Sequence, residues 1–237
     1  MARDIRDKKE PIIHIRDLEK KFKVGNNLIS ALRGVDLDIY PADFALVFGP
    51  SGCGKTTLMN IIAGIDVPTK GSVKIRNTNI FKLTEDKRGT FRAEKMGIVH
   101  QTPYWIKSLT VLGNIALPMI IDGKKKQVAY DHAFNVMKEM KIESFAKQIP
   151  TELSGGQQQK VSLARALVCN PWIILADEPT GNLDSTSADE VMAIFDTLNR
   201  RFKRTIIMVT HNQAYWDFGT KRIEMKDGLV AKDGNHG

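Results

Sequence analysis

Apolar residues fall into two rhythms along this chain. In the first third, short apolar or alternating runs at 11–16, 35–40, 44–48 and 72–76 are each bounded by turn residues, the pattern of β-strands. Residues 56–63 have helical spacing and end at Gly64, a helix closed by glycine. Another short apolar strand is predicted at 96–100. The rhythm then changes: 111–121, 127–140 and 157–168 carry apolar residues three and four apart, with little strand signal between them. This stretch predicts a compact helical insertion over about 102–168. Strand and helix alternate again at 172–176, 188–201 and 205–210, followed by a last pair of strands around Lys226, Asp227 and Gly228. Such alternation predicts an α/β fold, with a largely parallel sheet and helices on both faces. Its ligand should lie at the carboxyl ends of the strands.

Bulk composition narrows the class. The 237 residues, 42% hydrophobic and 26% charged, suffice for one large α/β domain or two small ones. No stretch approaches the roughly 20 apolar residues of a membrane span; the best, 115–121, is interrupted by Pro118. Residues 1–10 are charged and lack the apolar region of a signal peptide, and the ending D-G-N-H-G suits a separate subunit. Cys53 and Cys169 are too far apart for a disulfide framework or metal spacing, which fits a reducing cytosol. A net charge of +8 would suit nucleic acid or an anionic membrane surface. The basic residues are scattered, however, and only 124–126 form a run, so nucleic acid is not expected as a partner.

Chemistry concentrates at residues 49–57, G-P-S-G-C-G-K-T-T, directly after the strand at 44–48. A strand, a glycine-rich loop and then Gly-Lys-Thr entering a helix make a phosphate-binding loop. Gly49, Gly52 and Gly54 let the backbone turn tightly, so that successive amide N–H groups converge. The helix adds its positive dipole end. Lys55 supplies a mobile cation for the outer phosphates, and the Thr56 hydroxyl can ligate Mg²⁺.

Two further motifs follow. Strand 172–176 runs into Asp177-Glu178-Pro179, and carboxylates ending a buried strand are costly unless they meet cations or water. Neighbours on a strand point opposite ways, so the two acids divide the work. Asp177 is expected to hold the Mg²⁺ shell beside Thr56, and Glu178 to orient or deprotonate an attacking water. Leu153-Ser154-Gly155-Gly156-Gln157 precedes a helix and reads as an N-cap with glycines. It equally offers the hydroxyl, free amides and dipole of an anion site. Two phosphate-type sites with one lysine loop suggest that they meet across a dimer.

In this order the motifs resemble the ATP-binding subunit of an ABC transporter over essentially the whole chain. Walker A is 49–56, Walker B is 173–177 followed by Glu178, and the signature is 153–157. Gln101 matches the Q-loop, Gly181-Asn182-Leu183-Asp184 the D-loop, and His211 the switch histidine. The resemblance implies a single domain over 1–237: a phosphate-loop NTPase core with a mostly parallel sheet, an N-terminal antiparallel β subdomain and an inserted helical subdomain. It implies ATP and Mg²⁺ as cofactors. Phe22 would stack on adenine, and Gly49, Ser51, Gly52, Cys53, Gly54, Lys55, Thr56 and Thr57 would bind the nucleotide. Thr56, Asp177 and Gln101 would serve the metal, and Glu178, His211 and Gln101 catalysis. Ser154, Gly155, Gly156, Gln157 and Asp184 would complete the site of a second copy in trans. On pattern alone Phe22 reads as a core residue, Gln101 as a loop hydrogen-bonder and His211 as a strand-end histidine; only the motif order lifts them.

Two runs, A-D-E-P-T-G-N-L-D-S at 176–185 and L-T-V-L-G-N-I-A-L-P-M-I-I-D-G at 109–123, resemble the lipoprotein-releasing, macrolide-exporting and cell-division ATPases. That subfamily implies an ATP-hydrolysing motor, peripheral on the cytoplasmic face of the cell membrane, driving transmembrane permease-type subunits. Those subunits would meet residues 102–107, where Thr102, Pro103, Tyr104, Trp105, Ile106 and Lys107 replace the more usual Leu-Leu-Pro type run. Asn212 stands where the family usually has Asp, a change expected to matter little. The alternative is a soluble ABC-type ATPase acting on nucleic acid or the ribosome. It fits less well, because a compact helical segment rather than a coiled coil separates Gln101 from Ser154.

Overall fold

The computed structural model describes residues 10–235. The charged opening at 1–9 and the last two residues, His236 and Gly237, lie outside them. Among the described residues, ten strands and six α-helices follow one another. The first part holds β1 (Ile13–Val24), β2 (Asn27–Ile39), β3 (Phe44–Phe48), α1 (Lys55–Ile62), β4 (Lys70–Ile75), β5 (Thr78–Asn79), α2 (Glu85–Lys95) and β6 (Met96–His100). Next come the helices α3 (Val111–Ile121), α4 (Lys126–Glu139) and α5 (Gly155–Leu167). The chain closes with β7 (Ile173–Asp177), α6 (Ser185–Arg200), β8 (Thr205–Val209), β9 (Lys221–Lys226) and β10 (Leu229–Asn235).

Two sheets form. The larger has the order β10-β9-β3-β8-β7-β6, with parallel pairing throughout except at the β9–β10 hairpin. The smaller, β2-β1-β4-β5, is antiparallel. Central strands of the larger sheet are buried on both faces, which explains their unbroken apolar runs. Period-two alternation then divides them cleanly. Ala45, Val47, Ile173, Leu175, Ile207 and Val209 face α1 and the smaller sheet in one cluster. Phe44, Leu46, Ile174, Ala176, Ile206 and Met208 join Phe195 of α6 and Leu163 of α5 in another.

The helices over 111–168 build a third cluster from Val111, Ile115, Ala133, Met137 and Val161. Helix α5 belongs to both its own cluster and the sheet's, since Val161 and Ala164 face one and Leu163 and Ala166 the other. It lies almost on the backbone of β6: a Cβ at Gly97 would come within 2.4 Å of the Ala166 carbonyl oxygen.

Three features differ from the sequence pattern. The strands at 11–16 and 35–40 are ends of a much longer hairpin that runs to Val24 and back from Asn27. Lys20, Lys21 and Lys23 interrupt the apolar pattern there, and register shifts at Asp17 and beyond break its period. The two-residue Gly25-Asn26 turn, with Gly25 at φ +62, is the signal that marks this hairpin. Helix α2 buries no residue fully and sets only Phe91 against the core, so it lacks a recurring set of apolar residues. Its ends carry the information instead: Thr84 caps it, Glu85 and Asp86 begin it, and Arg92 and Lys95 end it. A 3₁₀ helix at Gln213–Phe218 also escapes periodicity, being capped by the Asn212 side chain, which accepts from the Ala214 N–H. Asn and Asp both cap in this way.

Phe195 is fully buried in the cluster under the larger sheet. Phe195→Ala is expected to destabilise the chain by about 3–5 kcal/mol, read as a lower denaturant midpoint; a loss within error of zero would contradict this packing.

Candidate functional site

Four loops leave the larger sheet at the carboxyl ends of β3, β6, β7 and β8, and every predicted catalytic residue is on one of them. Gly49, Gly52 and Gly54 have φ of +146, +78 and +104, so the loop after β3 requires glycine conformations. Two of the three are also pinned by space. A Cβ at Gly49 would sit 2.1 Å from the Met225 carbonyl oxygen, and one at Gly54 2.6 Å from that of Ala31. Gly52 faces open space. Cys53 turns inward and is buried, while Ser51 and Thr56 are exposed. Lys55 folds back over the loop, donating to the carbonyl oxygens of Gly49 (2.8 Å) and Pro50 (2.9 Å).

The loops after β3, β7 and β8 border an open cavity of about 440 Å³ lined by the glycine loop, Lys55, Thr56, Thr57, Asp177, Glu178 and His211. Thr56 Oγ1 donates to Asp177 Oδ2 at 3.2 Å. That hydroxyl and carboxylate form a hard-oxygen pair of the kind Mg²⁺ takes together with phosphates and water. Among the described residues no group of three or more His, Cys, Asp and Glu gathers to hold a metal. Burial raises the Asp177 carboxyl above its usual range, opposed by the Thr56 hydrogen bond and reinforced by the charge of Glu178.

Glu178 stands in the left-handed region at φ +49, held by its N–H donating to Val209 and its carbonyl accepting from Gly181. Its Oε2 lies 2.6 Å from His211 Nδ1. The Glu178 side chain is 19% exposed and that of His211 72%, so the pair joins a sheltered acid to an open imidazole.

Other predicted residues lie apart from this cavity. Gln101 does not line it; its Nε2 donates to Asn182 Oδ1 at 3.2 Å. Phe22 is half-buried on the β1–β2 hairpin, outside the cavity lining and the three apolar clusters, with Lys20 Nζ 4.7 Å above its ring. The reading of Phe22 as a core residue therefore fails. Ser154 caps α5: its hydroxyl accepts from the Gln157 N–H at 3.4 Å, and Gln157 Oε1 accepts from the Ser154 N–H at 3.0 Å. Ser154 and Gly155 face solvent. A Cβ at the buried Gly156 would come within 2.6 Å of Ser187 Oγ, so this segment packs directly on the start of α6. Asp184 caps that helix through Ser187, whose two hydrogen bonds hold its carboxyl below the usual range.

The sequence pattern missed Asn182, whose role depends on the fold bringing the loop after β7 beside the loop after β6. It also missed Ala31 and Met225, whose carbonyls wall in the glycines. Residues 102–107 are bound to α5: Arg165 donates to the Tyr104 carbonyl at 2.5 Å and stacks 4.6 Å over Trp105, whose indole N–H donates to Gln158 at 2.8 Å. The side chains of Tyr104 and Ile106 remain exposed.

Comparison with known proteins identifies the family. The model of the ABC transporter family matches residues 32–181. An uncharacterized ABC transporter ATP-binding protein of Methanocaldococcus jannaschii is 40% identical over 221 residues, covering 93% of this chain and 98% of that one. The lipoprotein-releasing system ATP-binding protein LolD of Alcanivorax borkumensis is 34% identical over 222 residues, covering 94% and 97%. The macrolide export ATP-binding/permease protein MacB of Chlorobium phaeobacteroides is 40% identical over 223 residues, and the match spans only 34% of its length. Among solved structures, the dimeric post-hydrolysis state of the ATP-binding cassette MJ0796 of Methanocaldococcus jannaschii, bound to ADP and Pi, superposes with a TM-score of 0.87. It is 38% identical, and the match covers 95% of this chain and 99% of that one.

The raised Asp177 carboxyl has a signed consequence. The folded chain binds this proton more tightly than the unfolded chain, so stability falls as pH rises from the ordinary carboxylate range through the raised value. Asp177→Asn removes that titration. Without nucleotide, the variant is expected to resist denaturant better than the parent at about pH 7, with the gap narrowing toward about pH 4. Unfolding followed by circular dichroism at both pH values checks this; a gap independent of pH would refute it.

Proposed function

The chain belongs to the ABC transporter family as an ATP-binding ATPase, and from that premise we propose how its own residues bind and cleave the nucleotide. The observation that carries the proposal is the convergence of Lys55, Thr56, Asp177, Glu178 and His211 on one cavity, with Glu178 and His211 2.6 Å apart. Backbone amides of Ser51, Gly52, Cys53 and Gly54, with those of Lys55, Thr56 and Thr57 at the start of α1, cradle the phosphates. Lys55 exchanges its contacts with Gly49 and Pro50 for phosphate oxygens. Thr56 and Asp177, with Gln101 moving toward them, would hold Mg²⁺, which would supply positive charge to the phosphoryl oxygens.

Glu178 orients and deprotonates the attacking water, and His211 holds both that carboxylate and the outer phosphate. Phe22 offers its ring to adenine.

A second copy completes the site with Ser154, Gly155, Gly156, Gln157 and Asp184, none of which lines this chain's own cavity. The dimeric state of the MJ0796 cassette supports that arrangement. Nucleotide binding favours the closed pair and hydrolysis reopens it, so the work delivered is bounded by the difference in affinity between the two states. The segment over 102–168 is the helical subdomain, and the exposed side chains around Tyr104 and Ile106 meet the permease subunits. Relatives named for lipoprotein release and macrolide export support a motor peripheral to the cytoplasmic face of the membrane, driving release, export or mechanical transmission.

Glu178→Gln is expected to keep ATP affinity and to lower turnover roughly 10²–10⁴-fold, the contribution of a positioned base. It is also expected to accumulate an ATP-dependent dimer, measured by light scattering after gel filtration. Turnover at the parent rate would remove Glu178 from the base role.

A further inference from the structure

We propose that Asn182 is a positioning residue that holds Gln101 away from the metal-binding pair, so that engagement of Gln101 requires the loops after β6 and β7 to separate. This rests on the reading of Gln101 as a residue that serves the metal. Strands β6 and β7 are neighbours, with His100 opposite Asp177 in register, and their loops therefore leave the sheet side by side. The Asn182 amide spans the gap between them. It accepts from Gln101 Nε2 at 3.2 Å and donates to Thr102 Oγ1 at 3.2 Å. One planar group thus holds two consecutive residues, and the Thr102 bond sets the orientation in which the Asn182 amide receives Gln101.

The backbone is shaped for this contact. At Gly181 a Cβ would lie 2.8 Å from Gln101 Nε2, so the glutamine amide rests directly on the glycine. The N–H groups of Gly181 and Leu183 donate to the carbonyls of Glu178 and Thr180, making the Asn182 loop a tight extension of the catalytic acid. On the other side, the backbone beyond Thr102 is tied to α5 through Arg165 with the Tyr104 carbonyl and through Trp105 with Gln158. Movement of α5 relative to the sheet would therefore load the Asn182 bonds. Gln101 is outside the nucleotide cavity while these bonds last, and it must lose one of them to reach Thr56 and Asp177.

The test is equilibrium binding without turnover, in a Glu178→Gln parent. ATP binding is measured by calorimetry at increasing free Mg²⁺, giving the Mg²⁺ concentration for half-maximal affinity. Asn182→Ala is expected to lower that concentration roughly two- to ten-fold, the scale of one net side-chain hydrogen bond. Thr102→Val, which frees one end of the Asn182 amide and adds no charge, is expected to shift it in the same direction by less. In a Gln101→Ala background, Asn182→Ala should shift it no further. An unchanged or higher Mg²⁺ requirement in Asn182→Ala overturns the proposal, as does a shift that survives Gln101→Ala. If Gln101→Ala alone leaves the requirement unchanged, the metal role of Gln101 fails and the latch fails with it. A Gln101→Ala defect without an Asn182→Ala shift removes the latch alone.

Discussion

A concavity of backbone amides has to be held open by something other than the ligand it receives. In this chain the glycine loop is wedged between the two sheets. Met225 of β9 presses on Gly49, and Ala31 of β2 presses on Gly54, each by a carbonyl oxygen that leaves no room for a Cβ. The Gly228 N–H donates to the Cys53 carbonyl and the Arg33 N–H donates to the Gly228 carbonyl, so the same turn ties the loop to the smaller sheet. The antiparallel sheet and the β9–β10 hairpin are thus the back wall of the phosphate cradle. Without that wall the glycines would be free to relax, since glycine resists no rearrangement by itself.

Charge is distributed around that cradle in a way that leaves it incomplete. Lys55 rests on carbonyl oxygens, Asp177 is a carboxyl that burial disfavours as an anion, and Glu178 occupies a backbone conformation that non-glycine residues rarely adopt. Lys55 and Asp177 are thus held where an anion and a cation, respectively, would find a partner, and Glu178 is held by backbone bonds to Val209 and Gly181.

Much of this was legible from the chain alone because the site is built from consecutive residues at strand ends. The run 49–57, Asp177 with Glu178, and His211 each follow an apolar strand whose burial announces itself in sequence. Helix α2 and the long hairpin were not visible by periodicity, because α2 sets only one large apolar residue, Phe91, against the core and the hairpin carries lysines across its faces. Their caps and the Gly25-Asn26 turn were the usable signals. Asn182 was harder still: it stood in plain view within G-N-L-D, but its partners are 80 or more residues away in the chain. Such a pairing depends on β6 and β7 being neighbours, which strand spacing does not reveal. The position of Phe22, outside both core and cavity, was likewise undecidable from the spacing of a hairpin that the pattern had not detected.

The contact between Gly156 and Ser187 has a consequence for how two copies would behave together. The segment from Asn182 to Ser187 touches Gln101, which in the proposed mechanism moves toward its own chain's pocket, and also packs against Gly156, which in the proposed pair belongs to the partner's pocket. Six residues thus stand between two cavities that no single nucleotide can occupy at once. Whatever free energy passes across them must be reciprocal: if filling one cavity alters affinity at the other by some factor, filling the second alters the first by the same factor. Any such coupling in the pair would therefore be the same read from either cavity.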